Sequence, residues 1–167
     1  MIPAAELAER VRPRLPDVVV ARGEVTAVVD RDHLLEVLGW LRLDPELAFD
    51  LLASVTATDW PDRTPRYWVT YELSSTSFHH RLRLKVGLAA DDARLPSAVE
   101  LYPTADWHER ETFDFYGIVF EGHPNLRRIM LPDGWDGHPL RKTEEMGGVN
   151  TRYRGAFIPP IDRRVSP

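Results

Sequence analysis

Residues 67–88 read YWVTYELSSTSFHHRLRLKVGL. Tyr67, Val69 and Tyr71 alternate with Trp68, Thr70 and Glu72, and Leu82, Leu84 and Val86 alternate with Arg81, Arg83 and Lys85. A period of two puts each apolar set on one side of an extended chain. The polar stretch Ser74 to Ser77 between them predicts an antiparallel hairpin with an apolar inner face and a charged outer one. Working outward, Pro3 to Val11 reads as a short helix, with Leu7 and Val11 one turn apart. Val18 to Val20 and Glu24 to Val29 read as two strands around Gly23. Asp30 and Asp32 are placed to cap a helix over His33 to Leu43, whose Leu34, Leu35, Leu38 and Leu41 form an apolar stripe. Asp44-Pro45 predicts a second helix start, with Leu47, Leu51 and Leu52 turned inward. Pro96-Ser97 opens a short segment. Asp106 precedes a helix over Trp107 to Tyr116, stopped by Gly117, and Ile118 to Phe120 is a short strand. The order α–β–β–α–α–β–β–α–β is that of an α+β domain in two layers, with helices packed on one face of a small mixed sheet.

The 167 residues suffice for one domain with a real core, and 43% hydrophobic content is globular rather than disordered. Eight Lys/Arg and five Asp/Glu lie in residues 122–167, a net +3, against thirteen and twenty-one in residues 1–121, a net −8. Six of the 10 Gly and six of the 14 Pro also fall in that last stretch, which disfavours long helices and central strands there. The expected organisation is an α+β body, 1–121, followed by a Pro/Gly-rich basic extended arm, 122–167. Nineteen of the 21 basic residues are Arg, whose planar fork suits ion pairs at interfaces. The net charge of −5 argues against a nucleic-acid partner. Absence of cysteine removes disulfides, thiolate-held clusters and thiol nucleophiles. No apolar run approaches the ~20 residues of a membrane helix, and the opening stretch reads as an amphipathic helix rather than a secretory signal.

No GxGxxG, P-loop or GxSxG is present, so nucleotide cradles and the hydrolase elbow lack support. Ser74, Ser75 and Ser77 lie near His79 and His80, but nothing in the sequence supplies the third group that holds a catalytic base. Trp107 to Asp114, WHERETFD, is the most crowded polar stretch. On a helix Arg110 and Asp114 are one turn apart with Glu111 beside them, which predicts a structural carboxylate–guanidinium–carboxylate cluster. His108 and Glu111 also have a metal-ligand spacing. Two echoes follow: Gly122-His123-Pro124 with Leu126, Arg127 and Arg128, and Gly137-His138-Pro139 with Leu140, Arg141 and Lys142. A His before Pro is extended and could ligate a metal, but no third ligand is obvious. More often its ring donates to a carbonyl and locks the turn. Trp135, between the echoes, is a large aromatic suited to anchoring an arm on another surface.

Trp107-x-Glu109-Arg110-Glu111-x-x-Asp114-x-x-Gly117-Ile118-x-Phe120-x-Gly122-His123-Pro124, then Leu126-x-Arg128-Ile129 and Leu131-Pro132-x-x-Trp135-x-Gly137-His138-Pro139-Leu140-Arg141-Lys142, resembles the signature of one family. That family is the C subunit (thirty-kilodalton subunit) of respiratory complex I, NADH:quinone oxidoreductase. Phe49 to Leu52, Thr58-Asp59-Trp60 and the hairpin fit its layout, and the resemblance covers roughly residues 20–142. It implies a hydrophilic peripheral-arm subunit without a redox centre, packed beside the quinone-site subunit of a proton-translocating complex. The implied location is peripheral, on the cytoplasmic side of the bacterial membrane. It further implies that no cofactor is bound by this chain, with NADH, FMN, iron–sulfur clusters and quinone held by partner subunits. Trp107, Glu109, Arg110, Glu111, Asp114, His123, Arg128, Trp135, His138, Arg141 and Lys142 are implied to hold the subunit and its arm in place. Where the family usually continues Arg-Lys-Asp, this chain has Thr143-Glu144-Glu145 after Lys142, and residues 151–167 match nothing in the pattern. The alternatives are the equivalent subunit of a membrane-bound hydrogenase, formate hydrogenlyase or plastid-type dehydrogenase, and a stand-alone metal-dependent hydrolase using His108, Glu111, His123 and His138. A third is an RNA- or membrane-surface binder, which the −8 body opposes.

Overall fold

The structure is a computed structural model that describes residues 2–144. The elements run α1 (Ala4–Val11), β1 (Val18–Ala21), β2 (Glu24–Val28), α2 (Leu34–Leu43), β3 (Leu51–Asp59), β4 (Tyr67–Ser74), β5 (Arg81–Leu88), β6 (Arg94–Pro96), α3 (Ala105–Tyr116) and β7 (Val119–Glu121). A single 3₁₀ turn, Arg31–His33, leads into α2. Five strands form a mixed sheet in the order β1-β2-β5-β4-β3, with β2 and β5 parallel and the other neighbours antiparallel. β6 and β7 form a separate parallel pair.

The hairpin read from the sequence is β4–β5, in register from Tyr67↔Leu88 to Ser74↔Arg81. Its alternation sorts the two faces as expected. Tyr67, Val69, Tyr71 and Leu73 join Leu82, Leu84, Val86 and Leu88 in the buried core, together with Leu7 and Val11 of α1 and Leu34, Leu38 and Leu41 of α2. On the other face Glu72 and Arg83 are register partners and pair at 2.6 Å, Arg83 also meets Glu24 at 3.1 Å, and Lys85 lies over the Trp68 ring. Opposite charges directly across a ladder reinforce the register that the core already selects. The helices and one sheet face therefore make the expected α+β layers.

Four local expectations are corrected. No helix follows Asp44-Pro45: the chain makes one turn, closed by Ala48 N–H donating to the Asp44 carbonyl at 2.7 Å, and Ala48 leaves it with φ +42°. β3 begins three residues later, so Leu47 and Leu52 are buried as expected but Leu51 points out, 40% exposed. A bulge between Leu52 and Ser54 breaks the alternation that would have announced this strand. Asp30 makes no side-chain cap, because the 3₁₀ turn intervenes. Helix α3 starts two residues before Trp107.

α3 lies alongside the edge strand β3. Thr104 Oγ1 donates to Leu52 O at 3.0 Å and Thr112 Oγ1 to Val55 O at 3.2 Å. Eight helical residues rise ~12 Å and three strand residues ~10 Å, so helix and strand keep pace along their shared length. The hydroxyls satisfy carbonyls of a strand that, among the described residues, is paired on one side only. Residues 122–144 contain no helix or strand and return over α3. Residues 145–167 of the expected arm lie outside the described residues.

Candidate functional site

Gly117 ends α3 in the left-handed conformation, φ +69°, with its N–H donating to Phe113 O at 2.8 Å. The chain then turns through β7 and the first Gly-His-Pro motif and runs back along the helix. The returning segment docks on Asp114. This carboxyl group is fully buried. Its Oδ1 accepts from Arg128 Nη1 at 2.7 Å. Its Oδ2 accepts from three consecutive backbone N–H groups, Ile129 at 3.0 Å and Met130 and Leu131 at 2.9 Å each. Burial is the largest influence and pushes the carboxyl upward, but the N–H groups of Leu131, Met130 and Ile129 and the Arg128 guanidinium outweigh it and hold Asp114 below the usual carboxylate range. Successive N–H groups converging on one oxygen form an anion nest, with the Asp114 carboxylate as the anion.

Arg128 does more than neutralise. Nη1 also reaches Asp114 O at 3.2 Å, and Nη2 donates to Gly137 O at 3.0 Å, which ties the second Gly-His-Pro turn to the same point. His138 Nδ1 lies 2.9 Å from Asp114 O. A carbonyl only accepts, so the imidazole proton is assigned to Nδ1. Burial foremost, helped by Arg141 and Arg128 nearby, holds His138 below its ordinary range. Its ring packs edge-on against Phe113 at 6.2 Å. His123 carries the opposite tautomer: Nε2 donates to Asp106 O at 3.2 Å and Nδ1 accepts from Asn125 N–H at 3.0 Å. Both histidines thus lock turns against α3 carbonyls.

Beyond the helix, Leu140 N–H donates to Phe115 O at 3.2 Å and Arg141 Nε to Tyr116 O at 2.7 Å, so the last turn's free carbonyls are taken by the arm. A Cβ on Gly117 would lie 2.5 Å from His138 Nε2 and also collide with Arg141. Gly is required there twice, for its φ and for this approach. Lys142 contributes its backbone: its N–H donates at 2.8 Å to Asp59 Oδ2, at the end of β3. Asp59 is gripped by Arg66 through both oxygens, at 2.7 and 2.9 Å. Arg66 foremost, then the Lys142 N–H, holds Asp59 below the usual range against the opposing effect of burial.

The expected Arg110–Glu111–Asp114 cluster is not formed. Asp114 turns toward Arg128, while Arg110 lies with its guanidinium 5.0 Å over the exposed Trp107 ring and donates to Arg127 O at 3.2 Å. Glu111 makes no ion pair among the described residues. Glu109 is fully buried and faces another way, accepting from Ser97 Oγ and Ala98 N–H, both at 2.7 Å. Trp135 is half-buried in a turn that its N–H closes onto Pro132 O at 3.1 Å. Among the described residues no three His, Cys, Asp or Glu side chains are gathered to hold a metal, and His123 uses both ring nitrogens. His80, beside the serine loop, is buried with Nε2 on Leu47 O at 2.7 Å. A cleft of about 590 Å³ lies beside it, between the start of α1 and the β4–β5 loop, and contains no signature residue. The sequence gives no sign of the roles of Arg66 and Ser97, which meet Asp59 and Glu109 across turns, or of the contact between Asp59 and Lys142, 83 positions apart.

The family model for the respiratory-chain NADH dehydrogenase 30 kDa subunit matches residues 27–150. The chain is 53% identical over 148 residues to the C subunit of the NADH-quinone oxidoreductase of Saccharopolyspora erythraea, covering 88% of this chain and 59% of that protein. It is 49% identical to the equivalent protein from Mycolicibacterium gilvum, covering 88% and 66%. The chain thus spans about three fifths to two thirds of the length of these relatives. Among solved structures, the trypsin-resistant fragment (1-134) of Nqo5 superposes with a TM-score of 0.64 at 31% identity, covering 73% of this chain and 98% of the fragment. A chain of the membrane-bound sulfane sulfur reductase, an archaeal respiratory membrane complex, gives a TM-score of 0.73 at 25% identity, covering 85% of each. The signature around Asp114, the fold and these likenesses agree: the chain belongs to the family of the 30 kDa subunit of respiratory-chain NADH dehydrogenase.

Proposed function

We propose that this chain is a non-redox, peripheral-arm subunit of a proton-translocating NADH:quinone oxidoreductase. It packs beside the quinone-site subunit on the cytoplasmic side of the bacterial membrane and supports electron transfer from NADH to quinone. It binds no cofactor of its own; NADH, FMN, iron–sulfur clusters and quinone belong to partner subunits. The observation that carries the reading is how the signature is spent. Asp114, Arg128, His123, His138 and Arg141 satisfy one another or nearby backbone and fasten the return segment to α3, and the Lys142 N–H ties it to Asp59 at the end of β3. Trp107 and Arg110 remain outside as a stacked aromatic–cation pair, with Met130 and Leu140 also exposed. Aromatic and Arg side chains on a rigid backbone are what an interface core uses. Among the described residues no helix is long and apolar enough to cross a membrane, which fits attachment through partners.

A second reading has one specific support. The likeness to a chain of the membrane-bound sulfane sulfur reductase makes the equivalent subunit of another respiratory membrane complex the alternative. Native mass spectrometry of the tagged chain, drawn from its own host in mild detergent, tests both. Recovery with flavin-, iron–sulfur- and membrane-bearing subunits is expected, and an assembly without the flavin-bearing NADH module selects the second reading. Recovery as a lone protein with a metal ion overturns both.

A further inference from the structure

Three carboxylates are buried beside α3, and they are not treated alike. Asp114 has Arg128 and three N–H groups, and Asp59 has Arg66 through both oxygens and one N–H group. Glu109 is as deeply buried but meets no Arg, Lys or His at ion-pair distance among the described residues. Its neighbours are two donors, Ser97 Oγ and Ala98 N–H, on the turn after β6. From its own helix Asp106 presents a second acid, itself approached by His123 Nε2 at 3.4 Å. From β4 comes Tyr71, fully buried with no hydrogen bond to its hydroxyl among the described residues, and near enough that Glu109's charge opposes its ionisation. An ionised carboxylate in this setting has lost its hydration without gaining a counter-charge.

We propose that Glu109 is a buried proton-binding site, and that the bound proton latches the Ser97–Ala98 turn onto α3. In the closed form the acid loses neither contact: its O–H donates to Ser97 Oγ while its carbonyl oxygen accepts from Ala98 N–H. When the turn lifts, Glu109 meets water, ionises in the ordinary carboxylate range and gives the proton up. Burial foremost, with Asp106 adding to it and the Ser97 and Ala98 donors opposing, raises the carboxyl to about 7 in the closed form. The latch is therefore fully present below the ordinary carboxylate range and is lost as pH rises from there to about 7. This is independent of the subunit reading, because it concerns only groups within the domain.

The test uses the full chain labelled with ¹³C and a pH titration of its carboxyl carbons, the Glu109 signal being the one missing from Glu109→Gln. Its midpoint is expected near neutrality, apart from the exposed glutamates. Ser97→Ala removes a partner from both forms, and since the hydrogen bond to the ionised form is the stronger, the midpoint should move upward. It also assigns the signal by its shift should the Gln variant fail to fold. Hydrogen exchange at the Ala98 amide, corrected for its intrinsic pH dependence, should lose protection as pH rises from about 4 to about 7. A Glu109 carbon that titrates with the exposed glutamates, or an Ala98 amide whose protection ignores pH, overturns the proposal.

Discussion

The guanidinium of Arg128 lies 2.7 Å from the buried carboxylate of Asp114, fourteen residues earlier in the chain, and its other nitrogen holds the carbonyl of Gly137. One side chain thereby joins the last turn of a helix, the segment that returns over it and the second Gly-His-Pro turn. Arg128→Ala leaves the carboxylate buried without its cation, and the isolated chain should lose about 3–5 kcal/mol in urea unfolding. Arg128→Lys should recover only part of that, since one ammonium cannot reproduce the fork that reaches both Asp114 and Gly137.

Asp114→Asn replaces an acceptor of four hydrogen bonds by a group that accepts at one oxygen and presents an N–H₂ to other donors. A loss of roughly 3 kcal/mol at pH 7 is expected. The pH dependence has a definite sign. The folded Asp114 is held below its ordinary value, so its stabilisation is present above pH ~4 and is lost as pH falls through the lowered value. Acid unfolding curves of the Asn variant should lack that part of the decline shown by the wild type.

Gly117→Ala meets two penalties at once, a Cβ at φ +69° and a collision with His138 and Arg141. The loss should exceed about 1 kcal/mol, the cost of the conformation alone. Thermal unfolding measures it. A loss of only about 1 kcal/mol would mean that the return segment stands away from the helix end.

Arg110→Ala should change the stability of the isolated chain by no more than about 0.5 kcal/mol, because Arg110 lies on the surface over an exposed Trp107. The effect should appear in the yield of assembled complex instead. A large loss in the isolated chain would restore a structural role to Arg110.

The contrast between these residues explains what was legible in the sequence. The β4–β5 hairpin was readable because one period runs through eight residues on each strand, and the end of α3 because only glycine suits its conformation. β3 escaped because a bulge shifts its phase and a Pro-started turn precedes it. The Asp114 site was legible in composition but not in pairing. Spacing along a helix offers Arg110, one turn away, whereas Asp114 points toward a segment whose return is fixed by the fold. Asp59 and Lys142 meet for the same reason, 83 positions apart. The signature groups these residues along the chain, and only the fold shows which of them hold each other.

The Asp114 carboxylate fastens the return segment to α3. Hydrogen exchange of the Ile129, Met130 and Leu131 amides measures this most directly, in the wild-type chain and in Asp114→Asn, with the β4–β5 amides as reference. All three should be protected in the wild type and lose protection together in the variant, while the hairpin amides change only by the global loss of stability. Amides that exchange freely in the wild type, or that stay protected without the carboxylate, would contradict it.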